Sequence, residues 1–173
     1  MSKRALWLET WVMGIAIIGL AATTARAQYP PLSAEEVAKV EREVTAAVAT
    51  YYQLFSSRDA RAVGARIFHM PWILLDPEGA KVYSSVEETA ALFESSLAQI
   101  LPQGWERSDF PSPRVCVLSL GSATVSGTFY RYKKDGSVMS VHGVTYVFGK
   151  TPDGWRIASL SSHPPGRGVE CQD

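Results

Sequence analysis

The feature that most constrains the fold is a run of four β-type segments that follow one another closely in the C-terminal half of the chain. The segments span residues 113–120, 123–134, 138–151 and 154–163, and they are rich in β-branched and aromatic residues. The connections between them are only long enough for tight turns, which join antiparallel neighbours. The pattern therefore predicts one antiparallel, strongly bent sheet, with everything that precedes it packed on one face.

The N-terminal segment has the pattern of an export signal. A basic pair is followed by a short apolar run at residues 11–22 and by Ala25-Arg26-Ala27, the small-x-small pattern of a signal-peptidase site. We therefore expect a signal peptide at residues 1–27, a periplasmic or secreted mature chain, and no stable membrane span after cleavage. An uncleaved membrane anchor is the alternative, because Glu9 weakens the basic region.

Three segments before the sheet have helical patterns, and each begins at a residue that can cap it. Ser33 and Glu36 form a capping box for a helix to about residue 56, in which apolar residues recur at intervals of three and four. Asp59 and Ser85 can cap a second helix to residue 67 and a third to residue 101. The first helix has the longest apolar stripe, so we expect the sheet to curl around it.

Two shorter strands are predicted between the second and third helices, at residues 68–76 and 80–84, while residues 105–112 are either a linker or an edge strand. The element order is therefore α-α-β-β-α-β-β-β-β, an α+β arrangement with the helices on one side of the sheet. Because three helices cannot cover both faces of so long a sheet, we expect a cavity between helices and sheet, where small molecules commonly bind.

Composition bears on partners and on the two cysteines. The 17 basic and 17 acidic residues cancel and form no basic stripe, so nucleic acid is not an expected partner. The folded domain is assigned to residues 28–165 and is followed by a tail at 166–173. Cys116 lies in a predicted strand and Cys171 in this tail, and an exported pair can form a disulfide. We expect that disulfide; the alternative is a buried Cys116 with a loose Cys171.

The longest strand offers a possible contact between two copies of the chain. One of its faces is half polar and half aromatic, with Thr124, Ser126, Thr128, Tyr130 and Tyr132. Such a face suits a homodimer contact, and it equally suits a sheet that is simply exposed to solvent.

Several short strings, in their order and spacing, resemble the nuclear transport factor 2-like (NTF2-like) superfamily, and most closely its SnoaL-like and ketosteroid-isomerase-like branches. The strings are residues 51–59, Leu75-Asp76-Pro77-Glu78-Gly79 and Asp153-Gly154-Trp155-Arg156-Ile157, and the resemblance covers about residues 33–163. It implies a cone-shaped sheet wrapped around a long N-terminal helix. The superfamily contains isomerases, cyclases, dehydratases and epoxide hydrolases, and also binding and assembly domains, so the fold alone does not decide the function.

The resemblance also suggests candidate catalytic residues. Asp76 matches the general base of the ketosteroid-isomerase-like branch, for which a carboxylate needs an apolar setting that raises its pKa. Tyr51 matches the tyrosine that donates to the developing oxyanion. The penultimate strand, where that branch has a protonated acid, carries none here, and His142 or Tyr146 would have to replace it. Without this partner the acid–base set is incomplete. The alternative to a catalytic role is that Asp76 is a turn residue and Tyr51 a core tyrosine.

Other residues are candidates for the lining of the cavity. Strict alternation along the last strand would place Ser159, Ser161 and His163 on the face of Trp155 and Ile157, so these three would form a polar lining, with His163 as an auxiliary acid or base. Four further residues near the expected mouth could stack on a flat ligand or simply fill the core: His69, Trp72, Tyr83 and Trp105.

No metal or cofactor is expected, because the histidines have no metal-site spacing and the chain has no glycine-rich phosphate motif. The first functional hypothesis is an exported domain that holds a small, apolar or polyketide-like molecule in its cavity. The second is a proton-transfer isomerase, dehydratase or cyclase that uses Asp76 and Tyr51, with His142 or His163 as auxiliary acid. The third is a dimeric accessory domain without a ligand.

Overall fold

The computed structural model describes residues 30–171, so the predicted signal peptide at 1–27 lies outside them. The helices are α1 (Ala34–Ser56), α2 (Ala60–Ile67) and α3 (Val86–Ile100), and a short 3-10 turn, Leu101–Gln103, follows α3. Each helix begins where its cap was predicted. Ser33 forms a complete capping box with Glu36, and the side chains of Asp59 and Ser85 accept hydrogen bonds from the first turns of α2 and α3.

None of the helices within residues 30–171 is both long and apolar enough to cross a membrane.

A single mixed sheet packs against these helices. Its strands are β1 (Phe68–Asp76), β2 (Gly79–Tyr83), β3 (Trp105–Asp109), β4 (Arg114–Ser119), β5 (Ser122–Lys133), β6 (Val138–Thr151) and β7 (Gly154–His163). The spatial order is β2-β1-β7-β6-β5-β3, and β4 also pairs with β5. All pairs are antiparallel except β1 with β7. The predicted α+β fold and element order are confirmed, and the segment after α3 contains an edge strand, β3.

The core lies between α1 and the concave face of the sheet. The apolar stripe of α1 buries Val40, Val44, Val48 and Phe55 against inward-facing residues of the long strands. On β5, β6 and β7 these are Ala123, Val125, Val144, Tyr146, Phe148 and Ile157. Side chains alternate along a strand, so every second residue of β5, β6 and β7 faces the helices.

A β-bulge in β7 overturns the predicted polar lining. Phe148 pairs with Ile157 and Val147 with Ser159, so Ala158 has no partner of its own. One extra residue reverses the alternation of everything that follows it. Beyond the bulge Leu160 is buried on the concave face, and Ser159, Ser161 and His163 lie on the convex face.

The tail after β7 returns across the convex face. Cys171 forms a disulfide with Cys116 of β4, with an S–S distance of 2.03 Å. The Val169 amide donates to Ser126 Oγ at 2.9 Å. Glycine is needed at position 168, because a Cβ there would lie 2.5 Å from that same Oγ. The tail is therefore a part of the folded domain.

Candidate functional site

The concave face of the sheet and the helices α1 and α3 line a partly open cavity of about 170 Å³. Most of its wall is aliphatic or aromatic: Phe55, Trp72, Leu74, Leu92, Phe93, Phe129, Val144 and Leu160. The polar groups in the wall are three tyrosines, three serines and one arginine: Tyr51, Tyr52, Tyr146, Ser96, Ser108, Ser162 and Arg131. A cavity of about 150 Å³ with apolar walls can hold benzene, so this one has room for a single-ring molecule with a short substituent.

Two buried tyrosines form a hydrogen-bonded pair in the wall. The hydroxyl groups of Tyr52 and Tyr146 lie 2.9 Å apart, so one of them donates to the other and one hydroxyl proton is left over. Burial raises the pKa of both phenols well above the ordinary value. Both side chains therefore remain neutral and able to donate at physiological pH.

Tyr51 lies beside this pair, at the centre of an aromatic cluster. Its ring packs edge-on against Tyr52, Phe68 and Tyr146, with centroid distances of 5.0 to 6.0 Å. Burial raises the pKa of Tyr51 far above its usual range, so the hydroxyl keeps its proton. Tyr51 belongs to the cavity wall, next to the hydrogen-bonded pair of Tyr52 and Tyr146. Tyr51 is thus both the predicted core residue and a donor at the cavity.

Arg131 is the charged residue of the cavity wall. It lies on the concave face of β5, two residues beyond Phe129, and its guanidinium carbon is 5.8 Å from the centre of the Phe129 ring. Its Nε is buried and has no hydrogen-bond partner among the described residues. Burial lowers the pKa of Arg131, yet arginine remains protonated in proteins at ordinary pH. A partly desolvated positive charge therefore faces the cavity.

The structure does not bring Asp76 and Tyr51 together, contrary to the predicted catalytic pair. Asp76 ends β1, where its carboxylate accepts from the Glu78 amide at 2.9 Å and from Lys81 Nζ at 3.1 Å. The hydrogen bond from Lys81 lowers the pKa of Asp76, whereas a general base of the proposed kind needs a raised one. Asp76 is not in the cavity wall. It stabilises its own turn, which was the structural alternative.

The candidate histidines make local contacts. His142 stacks on Phe129, with ring centres 5.0 Å apart, and its Nε2 lies 2.8 Å from Ser140 Oγ. Burial, aided by nearby Arg131, lowers the pKa of His142, which favours the neutral ring. His163, on the convex face, donates from Nδ1 to the Pro164 carbonyl at 2.9 Å. Neither imidazole belongs to the cavity wall.

The aromatic candidates divide between wall and core. Trp72 lines the cavity, stacks on Tyr83 at 4.8 Å, and donates from its indole nitrogen to Thr89 Oγ1 at 2.9 Å. Trp105 is 2% exposed and packs on Phe55, so it is a core residue and does not lie at a mouth. His69 is exposed on β1, with Nδ1 3.3 Å from the Pro71 carbonyl. Across residues 30–171, no three acidic, histidine or cysteine side chains are grouped as a metal site would require.

Sequence reasoning missed Arg131, which is the most distinctive residue of the cavity. A signal was present, because Tyr130 and Tyr132 had been assigned to one face of β5 and strict alternation places Arg131 on the other. That other face packs against helices, and an arginine is rarely buried there without a partner. Tyr52 was missed because the apolar stripe of the first helix runs through its neighbour Tyr51, whereas both tyrosines line the cavity.

Comparisons with known proteins agree with this geometry. The family model described as "NTF2-like protein (DUF6841)" matches residues 41–165. The chain belongs to the NTF2-like superfamily. The predicted family is thereby confirmed. No curated protein matches the sequence.

Solved NTF2-like structures share the fold at low identity. An NTF2-like protein with a cystatin-like fold from Novosphingobium aromaticivorans is 18% identical, with a TM-score of 0.62 over 78% of this chain and 87% of that one. Aln2 from a Streptomyces species is 17% identical, with a TM-score of 0.58 over 73% and 90%. A putative calcium/calmodulin dependent protein kinase II association domain from Xanthomonas campestris is 22% identical, with a TM-score of 0.56 over 73% and 88%. At these identities the likeness shows the fold alone.

Proposed function

We propose that this NTF2-like domain binds a small, mostly apolar molecule in the cavity between α1, α3 and the concave face of the sheet. The observation that carries the proposal is the cavity itself, about 170 Å³ in volume and walled mainly by aliphatic and aromatic side chains. Pockets of this kind, with a few convergent polar groups, are the usual sites for small ligands. The tyrosine hydroxyls and Arg131 supply those polar groups.

Binding is favoured over the proton-transfer alternative by the chemistry of the wall. The residues that line the cavity include hydrogen-bond donors but no carboxylate and no imidazole. Proton transfer at carbon needs a base within hydrogen-bond reach of the substrate. Asp76, the base of the enzyme hypothesis, is bound to Lys81 in its turn. Binding therefore requires fewer additional assumptions than catalysis.

Export and dimerisation remain part of the proposal. Export to an oxidising compartment is supported by the disulfide between Cys116 and Cys171, since such bonds persist outside the reducing cytosol. A homodimer would use the convex face of β5 at Tyr130 and Tyr132, which stack with ring centres 6.2 Å apart. The C-terminal tail buries Ser126, so fewer residues of β5 are free for a dimer contact than the five expected from the sequence.

A cavity-filling substitution tests the binding proposal. Ser96 lies on α3 and lines the cavity, while Ser95 precedes it on the exposed surface of the same helix. Ser96→Phe should fill part of the cavity and remove binding of single-ring probes, such as phenylacetate and phenylacetamide, in calorimetric or NMR titrations. Ser95→Phe adds the same ring outside and should leave binding unchanged. If no probe of this class binds, or if Ser96→Phe binds as the parent does, the cavity is not the binding site.

A further inference from the structure

We propose that the ligand of the cavity is an anion with a carboxylate group, and that Arg131 binds this carboxylate. The inference rests on the proposed function, because it names the chemical class of the molecule that the same cavity would hold. It begins from an anomaly in the wall. A positively charged side chain lies among aliphatic and aromatic groups, and the described part of the chain provides no negative partner for it.

Buried charges in proteins are normally paired, because desolvation of an isolated charge is strongly unfavourable. Arg131 is half-buried, and its buried Nε has no hydrogen-bond partner among residues 30–171. The guanidinium is planar and presents parallel N–H donors that fit the two oxygens of a carboxylate. A carboxylate from outside the chain would supply both the missing charge and the missing acceptor.

Internal acids near Arg131 are already engaged. On β3, the neighbouring strand, Ser108 is opposite Arg131 and its Oγ accepts from the Trp105 indole at 3.1 Å. Asp109, the next residue, is opposite Tyr130 and forms an ion pair with Arg107. Glu106, on the same strand, pairs with Arg58 at 3.4 Å. The neighbouring strand β3 therefore carries two acids, and each has another cation as its partner.

The remaining polar groups of the cavity complement an anion. Tyr51 lies in the cavity wall, and the Tyr52–Tyr146 pair has one hydroxyl proton to spare. Their environment keeps all three phenols protonated, so each hydroxyl can act as a donor. Hydrogen bonds from such donors to an anion are stronger than those between neutral groups. The wall thus offers one positive charge, several neutral donors and no competing carboxylate.

Size limits the rest of the ligand. The volume of about 170 Å³ is slightly larger than an apolar cavity of about 150 Å³ that accommodates benzene. One ring with a short acid arm, or a short branched chain with a terminal carboxylate, therefore fits. The ring would contact Phe93 and Leu160, which are buried in the apolar part of the wall. We accordingly infer a small aryl or short-chain carboxylate as the ligand class.

Phenylacetate and phenylacetamide form a matched probe pair, because they have nearly the same shape and only the first is charged. In calorimetric titrations of the full mature chain we expect phenylacetate to bind at least about tenfold more tightly, the scale of a charged hydrogen bond. Arg131→Met should reduce the affinity for phenylacetate to that for phenylacetamide. Lys133→Met removes an exposed cation two residues further along β5 and should leave the preference intact.

The outcomes separate the inference from the function on which it rests. If neither probe binds the parent protein, the proposed binding function fails. If both bind equally well, the cavity binds small molecules but the ligand class is wrong. Arg131→Lys keeps the charge and offers a second well-tolerated variant, for which we expect a reduced preference because an ammonium lacks the two-pronged geometry. An undiminished preference in both Arg131 variants would overturn the assignment of Arg131.

Discussion

Replacing Arg131 with methionine should stabilise the ligand-free protein, although most substitutions in a folded domain destabilise it. The reason is the unpartnered guanidinium, whose buried Nε loses its hydration on folding and gains no hydrogen bond from the described residues. A buried donor left without a partner costs about 1–3 kcal/mol. Arg131 is only half-buried and keeps part of its hydration, so the lower end of that range, about 1 kcal/mol, is the expected gain.

The measurement is the free energy of unfolding from urea titrations, with thermal unfolding as a second readout. For a domain of this size about 1 kcal/mol corresponds to a rise of roughly 3 °C in Tm. Lys133→Met is the matched control, because Lys133 follows on the same strand and is exposed. Its removal should change the free energy of unfolding by less than about 0.5 kcal/mol. The m-values should be the same for all three proteins, since none of the changes alters the surface exposed on unfolding.

A bound ligand should reverse the order of stability of the parent protein and Arg131→Met. A ligand that binds only the folded state stabilises it by about 2.7 kcal/mol at one hundred times its Kd. At a saturating concentration of phenylacetate the parent protein should therefore become more stable than Arg131→Met. If Arg131→Met is instead less stable than the parent by about 1 kcal/mol or more without ligand, Arg131 makes a stabilising contact and the reasoning is refuted.

Three further perturbations follow from the same structure. Replacing both Cys116 and Cys171 with alanine should lower the free energy of unfolding by about 2–4 kcal/mol, because the disulfide closes a loop with a sequence separation of 55, and reductant should reproduce the loss in the parent protein. Leu160→Ala should cost about 2 kcal/mol in urea titrations and Ser159→Ala less than about 0.5 kcal/mol, and equal losses would contradict the bulge in β7. The pKa of Asp76 is lower in the folded protein than the ordinary carboxyl pKa. Ionised Asp76 therefore stabilises the fold at any pH above the ordinary carboxyl pKa, and this contribution is lost as the pH falls through the folded-state pKa. In Asp76→Asn the free energy of unfolding should therefore fall less steeply as the pH is lowered, and phenylacetate binding should be unchanged. Loss of that binding would show that Asp76 belongs to the binding site.

Local sequence signals predicted the helices and most strands. The first helix runs from Ala34 to Ser56, as predicted, because its cap, its acidic first turn and its apolar stripe all lie within the segment itself. The strands β6 and β7 have the predicted bounds because glycine and proline turns delimit them. Element type and extent were thus determined by residues close together in the chain.

Which side chains of β7 lie on the concave face was not predictable in the same way. Alternation from Trp155 places Ser159 inside, and only the pairing with β6 shows that Ala158 is an extra residue. A weak signal existed in Leu160, the apolar residue within a run of serines, which belongs in a core. A bulge depends on two strands, so a pattern read along one of them misses it.

The chemistry of the cavity depends on tertiary structure to an even greater degree. The alternation of β5 is enough to place Arg131 on the helix-facing side, but it does not show whether an acid lies opposite. From the sequence, Glu106 and Asp109 on the segment before the long strands are plausible partners. In the fold they pair with Arg58 and Arg107, so that the charge of Arg131 is left without a match among the described residues. Because a partly desolvated charge in an apolar wall lowers stability until a partner compensates it, the compensating group is best sought in a molecule that enters the cavity.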